Sequence, residues 1–154
     1  YSGNKMNSKW GAHDAYVMQR QFDYINKAPQ PFLSAVLTLS LHEPFEIPIA
    51  NHFEGNSTEI KFKNAAYYTD QCLGDYFAMI KKQPWYANTL FIFLADHGHH
   101  YPRNTDYYSI ESHRIPLVFF GGALKQEYRG RKIESITAQH DLAQILAAQL
   151  KLHS

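Results

Sequence analysis

The sequence has little of what would settle a function class at once. It carries one cysteine, Cys72, in 154 residues, so no disulfide can close within the chain. The longest apolar runs, at 90–95 and 117–120, are far too short to cross a bilayer. No segment has the layout of a signal peptide. Charge of one sign is missing too: 15 Lys and Arg against 14 Asp and Glu leave a net charge of +1, scattered along the chain. That excludes the broad basic footprint of a nucleic-acid binder, so no nucleic acid is expected among the partners. Repeats and low-complexity tracts are absent. So is an initiator Met, because the sequence opens at Tyr1, which raises the expectation of a piece of a longer protein.

What is present suits a folded α/β domain. Hydrophobic residues at 45% and charged residues at 19% supply a core and exclude disorder. The aromatic share of 15% is high, and such rings build cores but also line carbohydrate and lipid-headgroup sites.

Apolar residues at Ala15, Met18, Phe22 and Ile25 have helical spacing and predict a helix over 14–27, with Asp14 as N-cap and Pro29 as the stop. The FLSAVLTL run predicts a strand over 32–39. Residues 40–60 have no sustained period and read as a long loop, a feature that tends to be functional in a compact domain. Phe62, Ala66, Thr69, Leu73, Phe77 and Ile80 mark one face of a helix over 61–83, in which Cys72 reads as a buried, inert thiol. The apolar run 89–95 predicts a strand covered on both faces, and 96–111 a second long loop. Residues 115–120 predict another buried strand, 132–136 a short one, and 141–150 a helix with Leu142, Ile145, Leu146 and Leu150 on one side.

This alternation predicts an α/β fold with a mostly parallel sheet and helices on both faces, in one domain over 1–154. Ligands in such sheets bind beyond the carboxyl ends of the strands. Two strands lead into suggestive loops there, one into Ser40-Leu41-His42 and the other into Asp96-His97-Gly98.

Asp96-His97-Gly98 is the sharpest of these features. A carboxylate and an imidazole at a strand end can converge on one divalent cation, as hard oxygen and borderline nitrogen donors. The glycine lets the backbone turn away tightly. Taken alone, the dipeptide reads more simply as a loop-capping Asp beside an incidental His, because Asp-His pairs are common. Its surroundings are more specific. NTLFIFLADHG followed by HRIPLVFFGG resembles the metal-binding segment of the alkaline-phosphatase and sulfatase superfamily, with Arg114-Ile115-Pro116-Leu117 on its second strand. SITAQHDLAQILAAQL resembles a later helix of that superfamily, with Gln144 where a proline is usual. Trp10-Gly11-x-x-Asp14 and PFLSAVLTLSLHEPF are similar to the lipoteichoic acid synthase branch, the phosphoglycerol transferases. The resemblance runs from Trp10 to the last helix.

The resemblance implies that Asp96 and His97 are metal ligands and that His42 contacts the substrate phosphate. A local backbone partner is the plainer reading for His42. His113 is a further candidate for phosphate contact. His99 and His100 read as solvent-facing loop residues, Trp10 as a packing residue ahead of a part of the headgroup-site lining, and His13, His52, His140 and His153 as surface or cap residues. The resemblance further implies a divalent metal, Mn or Zn, or Ca or Mg in a sulfatase. It places the nucleophile and an acidic ligand upstream of Trp10, so no catalytic nucleophile is assigned here and the chain is expected to be inactive alone. Thr38 and Ser40 are the nearest hydroxyls but fall on the strand before His42.

The expected function is transfer of a phosphoglycerol- or phosphoethanolamine-type headgroup by an intact parent enzyme. That parent would be anchored by N-terminal membrane helices and would act on the extracytoplasmic face. Its partners would be a phospholipid headgroup or another phosphate or sulfate ester. A sulfate-ester hydrolase and a non-catalytic structural domain are the alternatives. An exposed sheet edge, and a dimer formed through it, are also expected.

Overall fold

The computed structural model describes residues 8–152; the readings made at residues 1–7 and at His153 lie outside them. The chain divides into two compact units, the first ending at Ala123 and the second starting at Leu124.

The first unit is built on a helix pair. Helix α1 spans Asp14–Ile25 and α2 spans Thr58–Ile80. The N-cap of α1 is His13, not Asp14, and His13 makes no side-chain cap bond. Ser57 caps α2 by accepting the Ile60 N–H. Met18 and Ile25 of α1 join Tyr68, Cys72, Tyr76 and Ile80 of α2 in the core, closed by Trp85. Helix α2 is therefore buried along a stripe of tyrosines displaced by about one residue from the apolar stripe that the sequence displays. The difference has a physical cause: α2 is packed on two sides. Its tyrosine stripe meets α1, while Phe77 of the apolar stripe meets Phe93 and Phe120, at 5.4 and 4.9 Å between ring centroids. Phe62, at the start of that stripe, meets Phe45 at 5.5 Å.

Strands β1, Phe91–Leu94, and β2, Leu117–Phe120, pair antiparallel in the register Phe91 with Phe120 through Leu94 with Leu117. This corrects the expected parallel order for the sheet among the described residues. A parallel pair needs a crossover that packs across the sheet. The connection from β1 to β2 contains only α3, the single turn Ile110–His113, and returns the chain directly. Both strands are half-buried, with Leu94, Leu117 and Val118 at 38%, 38% and 49% exposure, and are not the doubly covered strands their composition predicts. The segment 32–39 forms no ladder, and Leu33 is 92% exposed. Its side chains fit a strand, but no described strand lies alongside it to pair with. Between α2 and β1 the chain makes a short 3-10 turn, Pro84–Asn88, that buries Trp85.

The second unit holds a 3-10 turn, Gln126–Tyr128, and helix α4, Asp141–Gln149. Helix α4 appears where the sequence predicts it. The predicted strand at 132–136 does not form: Ile133 and Ile136 are 75% and 85% exposed and no described segment pairs with them.

Candidate substrate and metal site

His42 stands between two tight turns. Its N–H donates to the Leu39 carbonyl at 3.0 Å, and its own carbonyl accepts the Phe45 N–H at 2.9 Å. Phe45 is forced into the left-handed region at φ 63, rare for a bulky side chain. The strain is held because its buried ring wedges edge-on against Phe62 and against His99, the latter at 5.9 Å. His42 Nδ1 lies 2.9 Å from the Glu43 carbonyl. A carbonyl only accepts, so Nδ1 carries the proton and Nε2 is the ring nitrogen left to meet a ligand. The same carbonyl accepts the Trp10 indole N–H at 2.6 Å, and the two rings lie 4.6 Å apart. Trp10 is 50% exposed, so it flanks His42 and is not a core packing residue. The cleft in front of them, about 420 Å³, is lined among others by Lys9, Trp10, His42, Phe45, Thr58 and Lys61. The Glu43 carboxylate also lines the cleft, so two ammonium groups, an imidazole and the N-terminal turn of α2 outweigh one negative charge in favouring an anion beside an aromatic wall.

Asp96 and His97 follow β1 directly. His97 Nδ1 donates to the Gly98 carbonyl at 2.8 Å, which leaves the Nε2 lone pair 3.8 Å from Asp96 Oδ1. Their side chains are 71% and 65% exposed for His97 and Asp96. Two ligands of one divalent cation can stand this far apart, while Asp96 Oδ1 also accepts the His97 N–H at 3.0 Å and so caps its own turn. Among the described residues no cluster of three or more His, Cys, Asp or Glu is assembled, so the donors fit as part of a metal site and not as a whole one. Gly98 is required by close approach: a Cβ there would collide with the Ser112 carbonyl, and would stand 3.1 Å from His113 Cα.

The two loops meet through His99, which the sequence alone marks as a solvent-facing loop residue. Its ring stacks on Phe62 at 5.2 Å and on His100 at 4.5 Å. Its Nδ1 accepts the Tyr101 N–H at 3.1 Å, so Nε2 bears the proton and lies 4.0 Å from Glu43 Oε1. Burial, reinforced by His100, pushes the imidazole below its ordinary pKa, with Glu43 opposing. His99 and Glu43 are the site residues that sequence reasoning passed over. Their signal was position, one directly after His42 and the other two residues beyond His97.

The remaining histidines divide. His113 is exposed and its Nδ1 faces the Ser109 carbonyl and Ser112 hydroxyl, each at 2.9 Å. The structure therefore places it beside Gly98 by backbone approach, with its ring engaged locally. His13 is a cap residue, buried at the N-cap position of α1, and His52 stacks on Tyr67 at 4.0 Å. His140 is exposed at the start of α4, beside Asp141 at 3.2 Å.

The family model described as Sulfatase matches residues 1–152. The chain belongs to the sulfatase family. Within it, the chain is 26% identical to lipoteichoic acid synthase 2 of Bacillus subtilis, over 93% of this chain and 24% of that protein. It is 27% identical to phosphoglycerol transferase I of Xanthomonas campestris pv. campestris, over 58% of this chain and 14% of that protein. The chain thus spans a quarter or less of the length of these curated relatives. A crystal structure of a protein in the alkaline phosphatase superfamily from Vibrio parahaemolyticus superimposes with a TM-score of 0.62 at 28% identity, over 79% of this chain and 30% of that one. The α/β fold of that superfamily is therefore the fold of this sulfatase-family chain.

Proposed function

We propose that this chain supplies part of the active site of a metal-dependent enzyme that transfers a phosphoglycerol-type headgroup. One observation carries the reading: His42, with Nε2 unengaged, faces a cationic and aromatic cleft whose floor is docked, through Glu43 and His99, to the loop bearing Asp96 and His97. The names of the relatives, a lipoteichoic acid synthase and a phosphoglycerol transferase, favour a phosphoglycerol unit over other phosphate esters.

In this reading the phosphoryl oxygens lie against His42, which as an imidazolium keeps its Nδ1–H on the Glu43 carbonyl and donates to them from Nε2, while Lys9 and Lys61 add positive charge at the rim. Trp10 covers the apolar edge of the glycerol carbons. Asp96 and His97 hold a divalent metal, Mn or Zn, which would supply positive charge to a phosphoryl oxygen and to an attacking hydroxyl. Completion of the metal cage and the nucleophile come from residues outside those assigned here, so the chain alone is inactive. The intact enzyme works on phospholipid at the extracytoplasmic face of a membrane. No helix among the described residues is long and apolar enough to cross that membrane.

The test uses the intact enzyme and a labelled phosphatidylglycerol donor. Asp96→Ala should abolish transfer, and His42→Ala should lower kcat/KM by roughly a hundred-fold. Sulfate-ester hydrolysis without phosphoglycerol transfer would replace this reading with the sulfatase alternative. Full activity of Asp96→Ala would favour a structural role for the chain.

A further inference from the structure

Asp14 is fully buried at the start of α1 and is not spent on capping its own helix. Its Oδ1 accepts the backbone N–H groups of Leu39 at 2.9 Å and Ser40 at 3.0 Å. Its Oδ2 accepts the Thr69 hydroxyl of α2 at 2.8 Å. In return the Ser40 hydroxyl accepts the Asp14 N–H at 3.3 Å. Ser40 and Thr69 are themselves buried, at 2% and 7% exposure. One carboxylate thus ties α1, α2 and the segment that enters the His42 turn.

The attachment is specific to that segment. Leu39, held by its N–H, uses its carbonyl to accept the His42 N–H. Gly11 completes the contact, because a Cβ there would come within 2.8 Å of a Leu39 methyl. A buried carboxylate that gathers three donors forms charge-assisted bonds, stronger than neutral ones and costly to leave unmade. Residues 32–39 have no ladder to hold them, and the sequence from Leu39 to Phe45 has no regular structure of its own. Asp14 is the charged side chain that bonds the backbone at the root of this loop.

We propose that Asp14 is the positioning residue of the phosphate-contact site: it sets the place of His42 by bonding the backbone at Leu39 and Ser40, and touches no substrate itself. The inference rests on the role given to His42 above. Loss of the carboxylate frees the root of the loop, and the imidazole no longer meets the phosphoryl group in register. A misplacement of about 1 Å in such a group can lower a rate by about a hundred-fold.

The experiment is a double-mutant cycle in the intact enzyme, with Asp14→Ala, His42→Ala and the pair, read as phosphoglycerol transfer. Amide hydrogen exchange at Leu39 and Ser40 is followed in each variant. We expect Asp14→Ala to lower kcat/KM roughly ten- to hundred-fold, with little further loss when His42→Ala is added. Exchange should quicken at 39–42 while the amides of α1 and α2 stay protected. Thr69→Val, which removes one of the three donors and keeps the backbone bonds, should fall between wild type and Asp14→Ala. If the two losses multiply, or exchange quickens throughout α1 and α2 together, Asp14 serves general stability and the proposal fails. If His42→Ala alone has no effect, the role assigned to His42 fails, and the positioning role falls with it. Multiplying losses leave the His42 role standing, so the two failures are distinct.

Discussion

Tyr76 shows how a single side chain limits this fold. It is 4% exposed in the core, and its hydroxyl has no hydrogen-bond partner among the described residues. Burial pushes its pKa from the ordinary 10.0 of a tyrosine up to about 12. A folded pKa above the unfolded one means that stability is intact below pH 10 and is lost as pH rises toward 12, because the unfolded state releases the proton first. Tyr76→Phe removes the unpaired hydroxyl and should raise stability at neutral pH by about 1 kcal/mol. It should also flatten the alkaline loss, which thermal melts from pH 8 to 11 would show. An alkaline loss unchanged in the variant would place its origin elsewhere. Cys72 follows the same logic: burial raises its thiol pKa, so the folded chain should resist alkylation at pH 8 until denaturant is added.

At the scale of elements, the loop after β1 is set by contacts on both of its sides. On one side Gly98 lies against the backbone of Ser112 and His113 at the end of α3. On the other, His99 stacks on Phe62 of α2. Gly98→Ala must open the first contact, because backbone cannot yield as a flexible side chain can. The expected result is a loss of about 1–3 kcal/mol, with Asp96 and His97 moved away from α3. Hydrogen exchange at 96–113 would localise the change, and undisturbed exchange there would show that the close approach is not maintained. The α1–α2 pair depends instead on burial. Ile80 is wholly buried, so Ile80→Ala should lower stability by about 2–5 kcal/mol in chemical denaturation.

Over the whole chain, the proposed metal role and the exposed apolar surface both bear on how the isolated chain behaves. If Asp96 and His97 hold the metal as proposed, no third His, Cys, Asp or Glu is grouped with them among the described residues, so titration of the isolated chain with Zn or Mn should show weak binding. Tight one-to-one binding would mean a complete cage. Leu33, Leu37, Leu94, Leu117 and Val118 leave apolar side chains exposed in the first unit, and the two-stranded ladder has an open edge on each strand. We expect the isolated chain to self-associate in sedimentation, and charged residues at Leu94 and Leu117 to reduce the association. A strictly monomeric chain would count against it.

Local chemistry was written plainly in the sequence. The 3.6-residue period of Met18, Phe22 and Ile25 marks α1, the apolar run before Asp96 marks β1, and the Asp-His-Gly and LHEPF segments mark the two site loops. These depend on neighbours in sequence, which periodicity and motif record. Strand pairing, the choice of buried face on α2 and the role of Asp14 depend on groups far apart in the chain. Asp14 reads as an N-cap from its place before a helix, yet its carboxylate is drawn to the N–H groups of Leu39 and Ser40 and to the Thr69 hydroxyl. Likewise His99 reads as a loop histidine until Phe62 and Glu43 are brought beside it. The sequence by itself determined where α1, α2, β1 and β2 run, and marked the residues proposed to bear the chemistry. Only the tertiary structure decided which of them meet, because hydrogen bonds and ring contacts are made at a few ångströms regardless of how many residues separate the partners.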